Sequence, residues 1–175
     1  PGAAGAAIAY AVRHPERVRS LALACTACRH LPWRRELLAD WADTAEADGM
    51  GTFVHDNMRW LVGPRSLRRV WPLVAFIAPL VLDVPSHGFV AQARAILAMD
   101  DAVADELSTI AVPTLVVVGS QDILTPRGDS VELAERIPTA ELVVVRGGAH
   151  GFQLEHSGTF NRIILEHLDG VVAAG

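Results

Sequence analysis

Lysine is absent from this sequence, and all fifteen of its basic residues are arginines. In a background rich in alanine and valine, this bias indicates a GC-rich coding sequence rather than a functional device. Twenty acidic residues outnumber the arginines and give a net charge of −5. Because proteins that bind nucleic acid usually carry concentrated positive charge, nucleic acid is excluded as a partner. Two arginine clusters are interpreted as solvated faces: Arg34–Arg35 and Arg65–Arg68–Arg69.

Cysteine and histidine are too few and too scattered to predict a metal site. The two cysteines, Cys25 and Cys28, have the spacing C-x-x-C. A redox pair with this spacing lies at the N-terminus of a helix, and no helix start separates these two residues. A structural zinc site needs four ligands, but the sequence has no second cysteine pair and no H-x-x-x-H pair. We therefore interpret both cysteines as packing residues and predict neither a metal nor a cofactor.

No apolar run is long enough to cross a membrane, for which about 20 residues are needed. The most apolar stretch, Val70–Val84, has only 15 residues and contains Pro72 and Pro79. The start of the chain also lacks the basic residues, the apolar run and the cleavage site of a signal peptide. The sequence therefore predicts a cytoplasmic protein without a membrane partner.

Helices and strands alternate in the predicted structure at both ends of the chain. Near the start, the helix Gly5–Arg13 ends before Pro15, because proline disfavours helical geometry in the preceding residue, and the apolar strand Val18–Cys25 follows. Continuous apolar runs are typical of parallel strands covered on both faces. The pattern predicts an α/β fold with a mostly parallel sheet. The later predicted elements are the strand Thr114–Gly119, the helix Asp129–Ile137, the strand Glu141–Val145 and the helix Ser157–Asp169.

A helical segment separates these two α/β parts. All four tryptophans of the chain lie in it. The sequence therefore predicts a core part over residues 1–28, a helical insertion over 29–107 and a second core part over 108–175. Apolar residues recur at helical spacing in four stretches of the insertion: Trp33–Asp48, Met50–Val62, Pro64–Asp83 and Pro85–Asp101.

Two loops that follow predicted strands carry the residues most suited to catalysis. Asp122 lies three residues after one strand, and His150 lies five residues after the next. Open α/β sheets bind ligands at the carboxyl ends of parallel strands, so we expect the two side chains to be neighbours. The carboxylate would then fix the tautomer of the imidazole and stabilise the imidazolium. Taken singly, an aspartate at such a junction is more often a turn or N-cap residue, and a histidine in a glycine-rich loop is more often incidental. Only their order and context favour a catalytic pair.

Three segments resemble the α/β-hydrolase superfamily: HPERVRSLALACT, VPTLVVVGSQDILTP and GGAHGFQLEHSGTFNRIILEHL. Within this superfamily, the sequence resembles the cap-bearing esterases, the enol-lactonases and related C–C and C–halogen hydrolases. The resemblance implies that Asp122 is the acid and His150 the base of a triad, in the order nucleophile, acid, histidine. It also implies that the helical insertion is a cap.

The nucleophile that this resemblance implies is missing. The family motif G-x-S-x-G lies just before the helix that leads into HPERV, whereas this chain starts with Pro1-Gly-Ala-Ala-Gly. Without a gap, Pro1 stands at the nucleophile position. With one extra helix residue, Gly2 matches the last glycine of the motif and the nucleophile precedes Pro1. We therefore expect this chain to form the C-terminal part of the fold, with its last three strands. We expect the chain to be inactive alone, and the missing N-terminal half of the fold is a candidate partner.

The sequence predicts a hydrolase of a small, mostly apolar ester or lactone. Two alternatives remain open. One is another reaction of the family: C–C hydrolysis, a haloperoxidase or perhydrolase reaction, or dehalogenation. The other is a degenerate hydrolase fold that binds a ligand without catalysis. Large apolar side chains are predicted to contact the small-molecule substrate, although they would equally suit a core: Trp60, Trp71, Phe76 and Phe152.

Overall fold

The computed structural model describes residues 2–69, 73, 85–98 and 101–174. Its centre is a three-stranded sheet formed by β1 (Leu21–Ala24), β2 (Thr114–Gly119) and β3 (Ala140–Val145). The strands lie in the order β1-β2-β3, and both strand pairs are parallel. The prediction of an α/β fold with a parallel sheet is therefore confirmed.

The strands form where the apolar runs predict them, but β1 is shorter than expected. Pro15–Arg17 is a 3-10 turn in which the amide of Val18 donates to the carbonyl of Pro15. Extended pairing begins only at Leu21, opposite Thr114, where β2 itself begins. β2 has the predicted bounds, and all six of its residues are buried. β3 begins one residue earlier than predicted, at Ala140.

Helices cover both faces of the sheet. Successive residues of a strand point to opposite faces, so neighbouring residues of β2 belong to different core clusters. Val116 of β2 packs in one core cluster with Ile8 and Leu133, while Val117 packs in another with Phe152. No helix in the described ranges combines the length and the apolarity needed to cross a bilayer. The helices whose bounds are described are α1 (Gly2–Arg13), α2 (Pro32–Ala47), α3 (Gly49–Leu61), α4 (His87–Leu97), α5 (Arg127–Arg136), α6 (Phe152–Glu155) and α7 (Ser157–Ala174), with a further 3-10 segment at Asp101–Thr109.

The helices between β1 and β2 form an apolar core of their own. Trp41 of α2, Phe53 of α3 and Val90 of α4 belong to one buried cluster. Leu124, from the loop after β2, is buried in the same cluster, so this helical layer contacts the loop that carries Asp122. Helical structure is confirmed for α2 and α3 and, over a shorter range than predicted, for α4. Of the helix predicted over 64–83, residues 64–69 and 73 are described, and they are helical.

One arginine that was predicted to face solvent is buried. The side chain of Arg34 is 1% exposed, and it pairs with Asp129. Its guanidinium also donates to the carbonyls of Leu124, at 2.9 Å, and Arg29, at 3.0 Å. The prediction of a solvated Arg34 is wrong, because helical spacing does not reveal that α2 lies against the loop after β2. The prediction is confirmed for the exposed residues Arg65, Arg68 and Arg69.

Candidate active site

Asp122 and His150 lie side by side at the carboxyl edge of the sheet. β2 and β3 are neighbouring parallel strands, so the loops that follow them leave the sheet at the same edge. Nδ1 of His150 lies 3.0 Å from Oδ2 of Asp122. The side chain of Asp122 is 0% exposed and that of His150 is 10% exposed. The structure thus brings the two predicted residues together in a contact that is shielded from water.

The carboxylate of Asp122 accepts hydrogen bonds on both of its oxygens. Oδ1 accepts from the amides of Leu124 and Thr125 at 2.9 Å, and Oδ2 accepts from the hydroxyl of Thr125 at 2.8 Å. An aspartate that bonds the backbone shortly after it is a common turn former. Burial by itself raises the pKa of Asp122, but the hydrogen bond and charge of His150, with the Thr125 donors, outweigh it and lower the pKa. Asp122 is therefore ionised at neutral pH.

The ionised Asp122 determines which ring nitrogen of His150 carries the proton. A carboxylate can only accept hydrogen bonds, and the hydroxyl of Thr125 already donates its one proton to Oδ2. In the neutral imidazole the proton therefore lies on Nδ1, which is also 3.2 Å from Oγ1 of Thr125. Nε2 then carries the lone pair. A histidine in this state can accept a proton at Nε2 as a general base.

A close backbone approach holds the His150 loop against the Asp122 loop. The amide of Gln121 donates to the carbonyl of Gly148 at 2.8 Å. A Cβ on Gly119 would lie 2.3 Å from the carbonyl oxygen of Gly148. Only glycine permits an approach this close. The geometry of the pair therefore depends on a residue that has no side chain.

The helical layer also contacts the His150 loop. The amide of Gly151 donates to the carbonyl of Leu61, at the end of α3, with a distance of 2.6 Å. Nearby, the carboxylate of Glu155 accepts from the amide of Gly63 through both oxygens, at 3.0 and 3.1 Å. The end of α3 is therefore fastened to the segment that positions His150.

Two residues that were not predicted touch the pair. Thr125 bonds Asp122 through its amide and its hydroxyl. The amide bond could have been expected, since aspartate side chains commonly bond backbone groups a few residues away. Cys25, directly after β1, lies with its Sγ within 4.8 Å of ligand atoms of Asp122 and His150. Burial first, and then the charge of Asp122, raise the pKa of Cys25 to about 12. Both cysteines are free and buried, but no local pattern could have placed Cys25 beside residues so distant in the chain.

Two of the four predicted substrate-binding residues can be placed. Phe152 is fully buried in the core below the sheet edge. Trp60 is half-buried in the helical layer, where its ring packs edge-on against Trp41 with 6.4 Å between centroids. Trp71 and Phe76 lie outside the described residues. A contact with substrate stays a prediction for all four, and the position of Phe152 supports a packing role.

Comparisons with known proteins found a matching family model and several similar hydrolases. Residues 4–157 match the family model described as alpha/beta hydrolase fold. The 2-hydroxymuconate semialdehyde hydrolase of Pseudomonas putida is 32% identical over 91% of this chain and 57% of its own length. A Caulobacter sp. (strain K31) protein named as a carbamate hydrolase is 28% identical over 96% of this chain and 63% of its own.

A solved structure has the same architecture. The enol-lactonase from Burkholderia xenovorans LB400 superposes with a TM-score of 0.81 and 25% sequence identity, over 95% of this chain and 62% of that chain. Across these three proteins, the chain spans 57–63% of the length of its relatives.

Proposed function

The chain belongs to the α/β-hydrolase family, and from this premise we propose that it carries the acid and the base of an enzyme that hydrolyses a small, mostly apolar ester or lactone. The observation that carries the proposal is the contact between Nδ1 of His150 and the buried carboxylate of Asp122. The similarity to an enol-lactonase structure supports a substrate with a carbonyl group.

In the proposed reaction His150 is the general base and Asp122 orients it. Nε2 accepts the proton of the nucleophile as the nucleophile attacks the carbonyl carbon, and Asp122 stabilises the imidazolium. The proton then passes to the leaving alcohol. Water attacks the acyl-enzyme in a second step, and His150 again accepts a proton. The donors from Leu124 and Thr125 keep the carboxylate in place throughout.

The nucleophile in this proposal is a residue outside the 175-residue chain. Cys25 is a nucleophilic side chain beside the pair, but its pKa of about 12 keeps it a thiol, and the thiolate is the reactive form. A hydrolase fold that has lost its nucleophile and only binds a ligand is the competing interpretation. That interpretation expects no turnover by any form of the protein.

The helical segment over 29–107 acts in this proposal as a cap that excludes water and selects the substrate. Two contacts support this role. The carbonyl of Leu61 accepts from Gly151, next to His150, and Leu124, two residues after Asp122, is buried in the core of the helical layer. A cap fastened to both loops would couple substrate recognition to the geometry of the pair.

The test is ester hydrolysis by the variants His150→Ala and Asp122→Asn. Hydrolysis of p-nitrophenyl acetate is measured for the 175-residue chain and for a longer protein that includes a G-x-S-x-G segment before it. In the longer protein, Asp122→Asn is expected to lower kcat about 10⁴-fold, because an amide favours the wrong tautomer of the histidine. His150→Ala is expected to lower it at least as much.

The matched control is His87→Ala, since His87 is exposed and its loss should leave kcat unchanged. Undiminished turnover by both active-site variants would overturn the assignment of the pair. Turnover by the 175-residue chain alone would contradict an external nucleophile.

A second candidate is C–C bond hydrolysis, which the similarity to 2-hydroxymuconate semialdehyde hydrolase favours. That compound contains no ester, so its hydrolysis must break a C–C bond. The same longer protein is therefore incubated with 2-hydroxymuconate semialdehyde, and the products are separated by chromatography. Consumption faster than ester hydrolysis would favour the second candidate, whereas ester hydrolysis alone would favour the first.

A further inference from the structure

Three side chains with metal-binding chemistry meet at the carboxyl ends of the three strands. Cys25 follows β1, Asp122 follows β2 and His150 follows β3. Each offers one ligand atom, and these atoms all lie within 4.8 Å of one another. All three residues are buried. Thiolate, carboxylate and imidazole are the ligand types that bind zinc in proteins.

We infer that Cys25, Asp122 and His150 form an inhibitory site for a thiophilic divalent cation such as Zn²⁺, which takes the position of the proton between His150 and Asp122. Binding of the ion needs no catalysed reaction, and only its inhibitory effect rests on the proposed function. Cys25 has a φ of 47°, which is uncommon for a residue other than glycine. Its thiol also lies 4.0 Å from the carbonyl oxygen of Ala149, the residue before His150.

The dimensions of the cluster suit such an ion. Zinc–ligand bonds of about 2.0–2.3 Å place tetrahedral ligands roughly 3.3–3.7 Å apart. Oδ2 of Asp122 and Nδ1 of His150 are 3.0 Å apart, so small side-chain movements are sufficient. The hydroxyl of Thr125 lies 2.8 Å from that oxygen and 3.2 Å from that nitrogen, so it borders the proposed position of the ion. Water is the usual fourth ligand where a protein supplies three.

The charges of the cluster also balance. A thiolate at Cys25 and the carboxylate of Asp122 together neutralise one divalent cation, so the buried site carries no net charge. An uncompensated buried charge would be strongly unfavourable. The thiolate character of Cys25 further favours soft metals such as zinc over Mg²⁺ and Ca²⁺, which prefer oxygen ligands.

Binding of the ion releases one proton and inactivates the base. Cysteine binds a metal ion as a thiolate, so the thiol proton of Cys25 goes to the solvent. The proton on Nδ1 of His150 moves to Nε2, so that Nδ1 can bind the ion and no second proton is released. Nε2 then has no lone pair, and His150 can no longer accept the proton of a nucleophile. Hydrolysis would therefore stop while the ion is bound.

From the sequence alone, we expected no metal site. That expectation considered ligands at regular short spacings, namely a second cysteine pair or an H-x-x-x-H pair. The donors here come from three separate loops, and the parallel sheet brings them together. Cys28 provides the matched control for Cys25, because it is also buried but does not belong to the cluster.

The experiment titrates the metal-free 175-residue chain with Co²⁺ and Zn²⁺ at about pH 8, where free imidazole is neutral. Bound Co²⁺ is detected by its sulfur-to-cobalt charge-transfer absorption, and Zn²⁺ by calorimetry in two buffers that differ in ionisation enthalpy. Wild type and Cys28→Ser are expected to show the absorption band and to release about one proton per ion. Cys25→Ser is expected to lose the band and to bind Zn²⁺ at least about tenfold more weakly.

Circular dichroism of each variant ensures that folded proteins are compared. Equal loss of the band in both serine variants, or its retention in Cys25→Ser, would overturn the proposal, as would the absence of binding to the wild-type chain. These readouts use no substrate, so they stay informative if the proposed hydrolysis fails. Binding without hydrolysis would contradict only the proposed function.

Discussion

Removal of Asp129 is expected to destabilise the fold far more than removal of an exposed acid. Arg34 is 1% exposed and Asp129 is 16% exposed. In Asp129→Ala, the guanidinium of Arg34 would keep only the carbonyls of Leu124 and Arg29 as acceptors. Breaking a buried ion pair by removing one partner costs about 3–5 kcal/mol, because it leaves an uncompensated charge. The same loss on a solvated face would be much smaller.

Replacement of both partners is expected to restore much of this stability. Burial raises the pKa of Asp129, and the charge of Arg34 only partly offsets that effect. The charges of Glu132 and Asp122 also raise this pKa. Replacing both partners of a buried ion pair by apolar residues of similar volume is often neutral or stabilising. An apolar pair such as Arg34→Met with Asp129→Leu should be less destabilised than the sum of the two single variants, by roughly 1–3 kcal/mol.

Urea unfolding measured by tryptophan fluorescence provides the free energies. Glu166→Ala is the matched control, because Glu166 pairs with Arg162 on the surface, with side chains 63% and 65% exposed. An exposed pair contributes less than about 1 kcal/mol. Equal losses for Asp129→Ala and Glu166→Ala would refute the argument from burial. Additive effects of the two single variants would refute the coupling.

Three further perturbations test the site and its support. Gly119→Ala should lower the free energy of unfolding by roughly 1–3 kcal/mol, because its Cβ would lie 2.3 Å from a backbone oxygen. Gly128→Ala, whose Cβ would meet nothing within 4 Å, should stabilise α5 by up to about 1 kcal/mol. Thermal unfolding of the two variants compares these effects. Phe152→Ala should cost about 3–5 kcal/mol in urea unfolding, and Leu154→Ala, at a position 81% exposed, less than about 0.5 kcal/mol. The pKa of Asp122 is lowered in the fold, so its contribution to stability is present above the ordinary carboxyl value of about 3.9 and is lost in more acid solution. Acid unfolding curves of equal steepness for wild type and Asp122→Asn would contradict this last expectation.

The arrangement of the sheet was predictable because its strands are marked by local pattern. β2 has the predicted bounds, since a continuous apolar run suits a strand that is buried on both faces. The ends of other elements were less predictable. The run predicted from Val18 pairs only from Leu21, because Leu21 lies opposite Thr114, where the partner strand β2 itself begins. The start of β1 therefore depends on the bounds of its partner strand, which the local sequence around β1 does not describe.

Local patterns in the sequence are enough to predict the α/β class, the parallel sheet and the meeting of Asp122 with His150. These features follow from residue periodicity and from the rule that parallel strands end at the same edge. The surroundings of Arg34 and Cys25, in contrast, depend on how distant parts of the chain pack together. Arg34 is buried because α2 packs on the loop after β2, and Cys25 reaches the pair because β1 lies beside β2. Burial and distance between remote residues arise from packing, and no short-range pattern encodes them.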